Sequence, residues 1–223
     1  MATRTRRPER REEPLSRERI VETAIGLLDT AGEGGLTFRV LAERLSTGPG
    51  AIYWHVAGKD ELLSAATEAV VAGAMTADTA GATPQDAIRA LALGLFDAID
   101  AHPWIGVQLA RAPEESPMLR AFEQIGRQVQ ALGVPGAAQF TVASALWSYI
   151  LGVGGQNAAN ARAVRPDTNR AEFLGSVAAT WETLDPDEYP FIRSVAGQLR
   201  DHDDRDEFLA GIDLILAGIA AGQ

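Results

Sequence analysis

Cysteine is absent from all 223 residues of the chain. Its absence excludes disulfide bonds, thiolate metal ligands and a cysteine nucleophile. A chain without disulfides also suits the reducing interior of a cell. Because 46% of the residues are hydrophobic, the chain can bury a substantial core without such cross-links, and its length is enough for one or two domains.

Long apolar runs are missing as well. No uninterrupted apolar run approaches the roughly 20 residues that a helix needs to cross a bilayer. The N-terminus lacks the apolar segment of a signal peptide. We therefore expect a soluble, cytoplasmic protein with no membrane partner.

Catalytic motifs are not found in the sequence. There is no phosphate-binding glycine loop, no HExxH and no nucleophile elbow. The glycines of residues 152–155 lie inside a predicted helix, where helix packing explains them better than nucleotide binding. Asp201-His202-Asp203-Asp204 contains metal-ligating residue types, but it lies between two predicted helices, and we interpret it as a solvated turn. We expect no enzyme, no cofactor and no metal site.

Charge is distributed unevenly along the chain, although the net charge is −10. Residues 1–60 hold ten Lys or Arg against nine Asp or Glu, and the remaining residues hold ten against twenty-one. Residues 1–14 carry five arginines and almost no apolar residues, so they are predicted to be a disordered basic arm. The arm could follow a DNA groove or be a solvated tail. This distribution indicates a protein that contacts DNA at one end only.

Two short predicted helices near residue 50 have the pattern of a helix-turn-helix. The first covers Thr37–Leu45, with Thr37 as N-cap and apolar residues at helical spacing. The second covers Pro49–Val56, and the turn formers of residues 46–50 join the two. In a helix-turn-helix the second helix enters the major groove of DNA.

The composition of the second helix favours DNA over an ordinary helical hairpin. No acidic residue occurs between Leu45 and Lys59, so nothing there repels phosphates. Tyr53, Trp54 and His55 are consecutive, and three consecutive helical side chains cannot all face one core.

These residues resemble the TetR family of bacterial transcriptional regulators. The resemblance covers most of residues 16–63, including LLDTAG at 27–32, GLTFR at 35–39 and IYWHV at 52–56. A less specific resemblance to the C-terminal domain of the tetracycline-repressor branch covers 187–190 and 208–219. The resemblance implies a ligand-responsive regulator, most often a repressor that binds a palindromic operator as a homodimer. An effector-independent activator or DNA-organising protein of the same fold is the nearest alternative, and an enzyme or interaction module is a more distant one.

The resemblance also implies a set of DNA-binding residues. Arg39 would contact a guanine edge, and Tyr53, His55 and Lys59 would contact the backbone. Since Pro49, Gly50 and Ala51 offer bases few hydrogen bonds, much of the specificity would rest on Arg39, thymine methyl groups and DNA shape. The complete set is Arg39, Thr47, Gly48, Pro49, Gly50, Ala51, Tyr53, Trp54, His55 and Lys59.

The predicted fold class is all-α, with a three-helix DNA-binding domain followed by a helical ligand-binding and dimerisation domain. We place the first domain at 15–62 and the second at 63–223. Further helices are predicted at about 16–32, 59–79, 85–101, 104–110, 118–132, 137–161, 169–184, 190–200 and 205–220.

Helices 137–161 and 205–220 are apolar on nearly every side, so each must be covered on every side. Small residues at Ala143, Ser144, Gly152, Gly155 and Ala159 permit close approach of a neighbouring helix. In the family such helices form a four-helix dimer interface, and a two-fold dimer matches a palindromic operator. The alternative is that both are simply core helices.

Aromatic and polar side chains spread over several helices are candidates for a small-molecule pocket, because bundles bind ligands between helices. Each of them could equally be core or surface. The resemblance implies that an effector shifts the fourth helix and so moves the two recognition helices. The candidate residues are Phe96, His102, Trp104, Gln108, Phe140, Trp147, Asn157 and Trp181.

Overall fold

The computed structural model describes residues 14–76, 81–110, 117–163 and 169–222. These residues form eleven α-helices and one 3₁₀ turn and contain no strand, so the predicted all-α fold is confirmed. The basic arm up to residue 13 lies outside the described residues, as do residues 77–80, 111–116 and 164–168. The helices are α1 (Arg17–Gly35), α2 (Phe38–Arg44), α3 (Pro49–Ile52), α4 (Lys59–Ala74), α5 (Pro84–Ala101), α6 (Trp104–Leu109), α7 (Met118–Ala131), α8 (Gly136–Ala163), α9 (Arg170–Glu182), α10 (Pro190–Val195) and α11 (Asp204–Ala221), with the 3₁₀ turn at Gln198–Asp201.

The chain divides into two compact units, the first ending at Ala66 and the second beginning at Thr67. The division falls within α4, as does the boundary placed between residues 62 and 63 from sequence. In the first unit, apolar residues from every helix are almost completely buried, and these include Ile20, Leu28, Leu41, Ile52 and Leu62.

Local sequence signals set the ends of α1. Ser16 caps its start, where the hydroxyl accepts a hydrogen bond from the Arg19 amide at 3.2 Å. Gly32, the predicted end, has φ 64° and interrupts the helical path, and the helix then continues to Gly35. A positive φ is accessible to glycine at little cost, which explains why the interruption falls there.

α5 is the central helix of the second unit. It packs against α6, α7, α8 and α11, and residues such as Ile88, Leu95, Phe96 and Ile99 are almost completely buried. α7 and α11 also pack on α8, while α9 packs on α10 and the 3₁₀ turn.

Two glycines allow α5 to lie close to a neighbouring helix. Gly154 of α8 faces Ile99, where a Cβ atom would lie 3.1 Å from the nearest side-chain carbon. Gly94 of α5 faces the backbone carbonyl of Ala74, the last residue of α4, and a Cβ atom there would clash with it. Any added side chain must therefore separate α5 from its neighbour.

α8 contains no uninterrupted apolar run of the roughly 20 residues that a helix needs to cross a bilayer, but its mean hydropathy is high. Over Gly136–Asn160 it has the length and mean hydropathy of a membrane span. Only 22% of that apolar window is buried within the chain. Long helices in protein cores meet the same criteria, and α8 packs against α5, α7 and α11. The exposed apolar surface of α8 must therefore be buried against another apolar surface.

Candidate DNA-binding surface and ligand cavity

The turn between α2 and α3 is built largely from local bonds. Thr37 caps α2 by accepting a hydrogen bond from the Val40 amide at 3.2 Å. Ser46 has φ 53° and turns the chain in the left-handed region. Gly48 precedes α3 as its N-cap, and Pro49 takes the first helical position, where a missing N–H leaves no bond unmade.

The recognition helix is shorter than the predicted Pro49–Val56. Regular α-helix ends at Ile52, and the next three residues continue as a turn in which the His55 amide donates to the Ile52 carbonyl at 2.9 Å. Such an i to i+3 bond tightens the last turn of a helix. Ile52 and Val56 are buried and fix the orientation of the segment.

The opposite side of this segment is open to solvent. Gly48, Pro49 and Gly50 are exposed. Trp54 is 90% exposed and Tyr53 is 55% exposed. Two adjacent aromatic side chains exposed on one short segment form an apolar patch, and such a patch indicates a surface that binds a partner.

Tyr53 is held by a neighbour that was not among the predicted site residues. Its ring stacks on Phe38, the first residue of α2, with 4.5 Å between centroids and 7° between planes. The signal was present in the sequence, since Phe38 immediately precedes Arg39 and belongs to the run that resembles the family. The stacking restricts the phenol to one side of the α2–α3 pair.

Arg39 extends from α2 into solvent, with 86% of its side chain exposed. Its Nε atom donates to Glu43 Oε1 at 3.2 Å, one turn further along the helix. An exposed pair of this kind contributes little stability. Because the pair with Glu43 uses only Nε, the two terminal guanidinium nitrogens of Arg39 can still donate to a base edge.

Lys59 and His55 are less exposed than the other predicted contacts. The Lys59 ammonium donates to the Glu33 carbonyl at 2.6 Å, so it stabilises the C-terminal end of α1 when no DNA is bound. His55 is half-buried, as are Thr47 and Ala51. A phosphate contact by Lys59 would have to share or replace the bond to Glu33.

Glu61 fixes the start of α4 beside these residues. Its carboxylate accepts a hydrogen bond from the Ala57 amide at 2.6 Å and pairs with Arg17 at 3.0 Å. The Ala57 amide, followed by Arg17, holds the pKa of Glu61 below its ordinary value. The negative charge of Glu61 is therefore neutralised within the unit rather than presented to DNA.

The predicted ligand-binding residues do not come together at one place. Trp147 is buried and meets Phe122 edge to face at 6.2 Å. Phe140 also meets Phe122 edge to face, at 6.3 Å, but is 75% exposed. Trp104 and Gln108 are buried one turn apart on α6.

The remaining four predicted residues lie in three different places. His102 meets Trp104 edge to face at 6.2 Å, and Trp181 is half-buried on α9. Only Phe96 and Asn157 line the cavity described next. Sequence spacing places residues on helices but does not indicate which helix faces converge.

A partly open cavity of about 320 Å³ lies between α5, α8 and the start of α11. One wall is aromatic: Phe208 stacks on Phe96 with centroids 4.5 Å apart and on Tyr149 with centroids 5.5 Å apart. The Tyr149 hydroxyl donates to the Phe208 carbonyl at 3.2 Å. The volume is at the lower end of the range typical of small-molecule pockets.

The polar side of the cavity was missed from sequence. It contains His202, Asp204 and Glu207, together with amide side chains of α8. The sequence pattern of Asp201–Asp204 predicted a solvated turn between two helices rather than a metal site. The structure uses it as a helix start, because Asp203 accepts hydrogen bonds from the Arg205 and Asp206 amides and caps α11.

Asp204 likewise has structural partners. It forms an ion pair with Arg170, and its Oδ1 atom lies 3.0 Å from His202 Nε2. Within the part of the chain that the structure describes, no three metal-ligating side chains converge on a common point.

Two family profiles match the chain and together cover most of it. Residues 20–66 match the bacterial regulatory proteins of the tetR family, and residues 78–222 match the tetracyclin repressor-like C-terminal domain. The chain belongs to the TetR family. It is therefore a transcriptional regulator of a DNA-binding family whose members are generally not enzymes.

Curated relatives in the TetR family agree with this assignment. An HTH-type transcriptional regulator of Saccharopolyspora erythraea is 31% identical over 150 residues, which are 66% of this chain and 64% of that protein. The match thus spans slightly less than two thirds of that relative. The HTH-type transcriptional repressor DrrR1 of Streptomyces coeruleorubidus is 26% identical over 219 residues, covering 96% of this chain and 81% of DrrR1.

Solved structures of TetR regulators have the same fold. A TetR transcriptional regulator from Streptomyces coelicolor is 61% identical, with a TM-score of 0.85 over 93% of this chain and 99% of that one. ActR of Streptomyces coelicolor, solved in complex with actinorhodin, is 22% identical, with a TM-score of 0.74 over 94% of this chain and 99% of ActR. At that identity the similarity to ActR concerns the fold alone.

Proposed function

We propose that this TetR-family protein is a cytoplasmic repressor that binds a palindromic operator as a homodimer and is released from it by a small molecule. The observation that carries the DNA-binding part is the exposed surface formed by Arg39, Tyr53, Trp54 and the Gly48–Gly50 turn. Named repressors among the relatives, including DrrR1, support the direction of regulation.

The proposed dimer surface is the exposed apolar side of α8 and α11. Leu214 is 75% exposed, and a groove of about 330 Å³ between the two helices is lined by residues that include Val142, Ile215 and Ile219. Exposed apolar surface of this kind favours a protein partner. A second copy of the same helices would cover it with two-fold symmetry and would place two recognition segments on one operator.

The α5–α8–α11 cavity supports a ligand-responsive protein over the effector-independent alternative, for which a body without a cavity is expected. The solved complex of ActR with actinorhodin shows a small molecule bound to a TetR protein of this fold. In the proposed mechanism, ligand binding changes how α4 is held. By thermodynamic linkage, operator DNA must then weaken ligand binding by the same factor that ligand weakens operator binding.

The proposal is tested by measuring binding of the purified protein to DNA flanking its own gene over a range of salt concentrations. Wild type should bind saturably as a dimer, with affinity falling steeply as salt rises. Arg39→Ala should weaken binding about 10- to 100-fold, because a bidentate arginine–guanine contact is lost.

Arg127→Ala is a matched control for this measurement. Arg127 forms the same kind of exposed ion pair, with Glu123 one turn away at 2.8 Å, but it lies on α7. The control should bind like wild type. Equal effects of the two substitutions would show only a general loss of positive charge and would contradict sequence-specific recognition through Arg39.

A further inference from the structure

The cavity between α5, α8 and α11 has a definite chemical character. Its lining includes the Tyr149 ring, which is backed by the buried ring of Phe208 and through it by Phe96, and it also includes the carboxylates of Asp204 and Glu207. We propose that this cavity binds an organic cation, an amine attached to an apolar group, with the apolar group against the half-buried Tyr149 and Val153 and the ammonium at Glu207. Its role as an effector site rests on the function proposed above.

The two carboxylates are not equivalent. Asp204 is already paired with Arg170 and contacts His202 at 3.0 Å. Glu207 has no hydrogen-bonded or ion-paired side-chain partner among the described residues. A carboxylate in this state can accept hydrogen bonds from a ligand ammonium without first breaking an internal ion pair.

Glu207 places a negative charge beside the Tyr149 ring. Burial first, and then the negative charge of Glu207, raise the pKa of Tyr149 above its ordinary value. The phenol therefore stays neutral near pH 7, and Glu207 supplies negative charge to the space beside it. An aromatic face adjacent to a carboxylate attracts a cation through both its quadrupole and the formal charge.

Neighbouring groups favour a cation with an apolar body over a small hydrated ion. Phe96 and Phe208 are 2% and 0% exposed, so they support the Tyr149 ring from behind and hold it in place. Gln156 and Asn160 line the same cavity and can donate or accept hydrogen bonds at the ligand's edge. An anion would face the carboxylate of Glu207, which has no cationic partner among the described side chains.

The test is titration calorimetry and NMR titration of the full-length protein with three compounds of similar shape. These are 2-phenylethylamine as the cation, 2-phenylethanol as the neutral analogue and 3-phenylpropionate as the anion. The amine should bind at least about tenfold more tightly than the alcohol, because a charge-assisted bond is lost in the alcohol. The anion should not bind at the cavity.

Two variants assign the site. Glu207→Gln should weaken amine binding about tenfold and leave binding of the alcohol unchanged. Asp206→Asn is the matched control, since it makes the same charge change one residue away, outside the cavity lining, and it should bind the amine like wild type. Equal binding of amine and alcohol, or equal effects of the two variants, would overturn the assignment.

Operator binding measured with and without the amine separates this inference from the proposed function. Release of operator by the amine, lost in Glu207→Gln, would support both the ligand class and the effector role. Amine binding that depends on Glu207 but leaves operator affinity unchanged would support the ligand class and contradict the effector role of this cavity.

Discussion

Single side chains decide how the DNA-facing surface is presented. Ile52 and Val56 are buried and orient the recognition segment, whereas Tyr53 and Trp54 point outward because helical geometry allows only part of such a run to face the core. Phe38 then restricts the exposed Tyr53 ring by stacking on it. Recognition residues are thus held by neighbours that need not contact DNA themselves.

Phe38→Ala should weaken operator binding several-fold by releasing the Tyr53 ring. Tyr53→Phe keeps the stacked ring and removes only the hydroxyl, so it should also weaken binding by losing a phosphate contact. If Phe38 acts by positioning that hydroxyl, Phe38→Ala should have little further effect in the Tyr53→Phe background. Operator titrations of the four proteins check this cycle. Additive losses would argue against a positioning role.

Ser46→Gly should stabilise the first unit by about 0.5–1 kcal/mol. Ser46 has φ 53°, a region that costs energy for residues with a Cβ atom and almost none for glycine. Ser46→Ala is the control, because alanine retains the Cβ atom and should give no gain. Urea unfolding of the three proteins measures the difference, and an equal change in both variants would show that backbone strain is not relieved.

The stability of a helix depends on its capping residues, and its position depends on where small residues let a neighbouring helix approach. Asp203 begins α11 by accepting hydrogen bonds from two backbone amides, and Gly94 lets the end of α4 approach α5. The cap and the glycine contact each affect a whole helix, because a change at that one residue alters the position or stability of the helix.

Asp203 should make the stability of α11 depend on pH in the acid range. The Asp206 amide, followed by the Arg205 amide, lowers the pKa of Asp203 below its ordinary value. The folded protein thus binds this proton less readily than the unfolded chain. The stabilisation is fully present above the unfolded pKa and is lost as pH falls through the lowered folded value.

Asp203→Asn keeps a capping oxygen but removes this titration. Thermal unfolding midpoints of wild type and variant should therefore differ at neutral pH and converge as pH falls. A constant difference between the two proteins across the acid range would contradict this account.

Gly94→Ala should destabilise the protein by about 1–3 kcal/mol, since its Cβ atom would meet the Ala74 carbonyl and backbone must move. Gly126→Ala is a suitable control, because Gly126 lies in α7 with open space at the Cβ position. The control should be neutral or slightly stabilising. Thermal unfolding gives both values. Equal thermal stability of the two variants would show that α4 and α5 can separate without a loss of stability.

The whole molecule is acidic, yet half of its twenty Lys and Arg residues lie within residues 1–60. The two units therefore differ in their density of positive charge, and the first unit carries arginines suited to DNA. In the second unit, α8 and α11 leave apolar surface uncovered in one chain. Covering that surface with a second copy would complete the core of the proposed regulator.

Leu214→Glu should convert a dimer into a monomer. A carboxylate placed in an apolar interface is costly to desolvate, and the dimer dissociation constant should rise at least about 100-fold. Leu119→Glu, on α7 at a residue that is 50% exposed, is the control and should remain dimeric. Light scattering after gel filtration measures the mass of each. Unchanged mass for Leu214→Glu would show that α11 does not form the interface.

Much of the molecule could be predicted because its signals are local. The caps at Ser16 and Thr37, the turn formers of residues 46–50 and helical apolar spacing indicate the helices and the helix-turn-helix, and the run around Arg39 indicates the family. Such signals act between residues a few positions apart. They do not indicate where regular helix ends within Pro49–Val56, which depends on how Ile52 and Val56 pack.

The tertiary structure alone decided which distant residues meet. It placed Phe38 on Tyr53 and brought His202, Asp204 and Glu207 to the aromatic stack on Phe208, although the ligand candidates chosen from sequence are dispersed. Periodicity along one helix specifies a face but not the partner that covers it. Cavities and long-range stacking arise from the relative placement of whole helices, and that placement follows from packing the complete core.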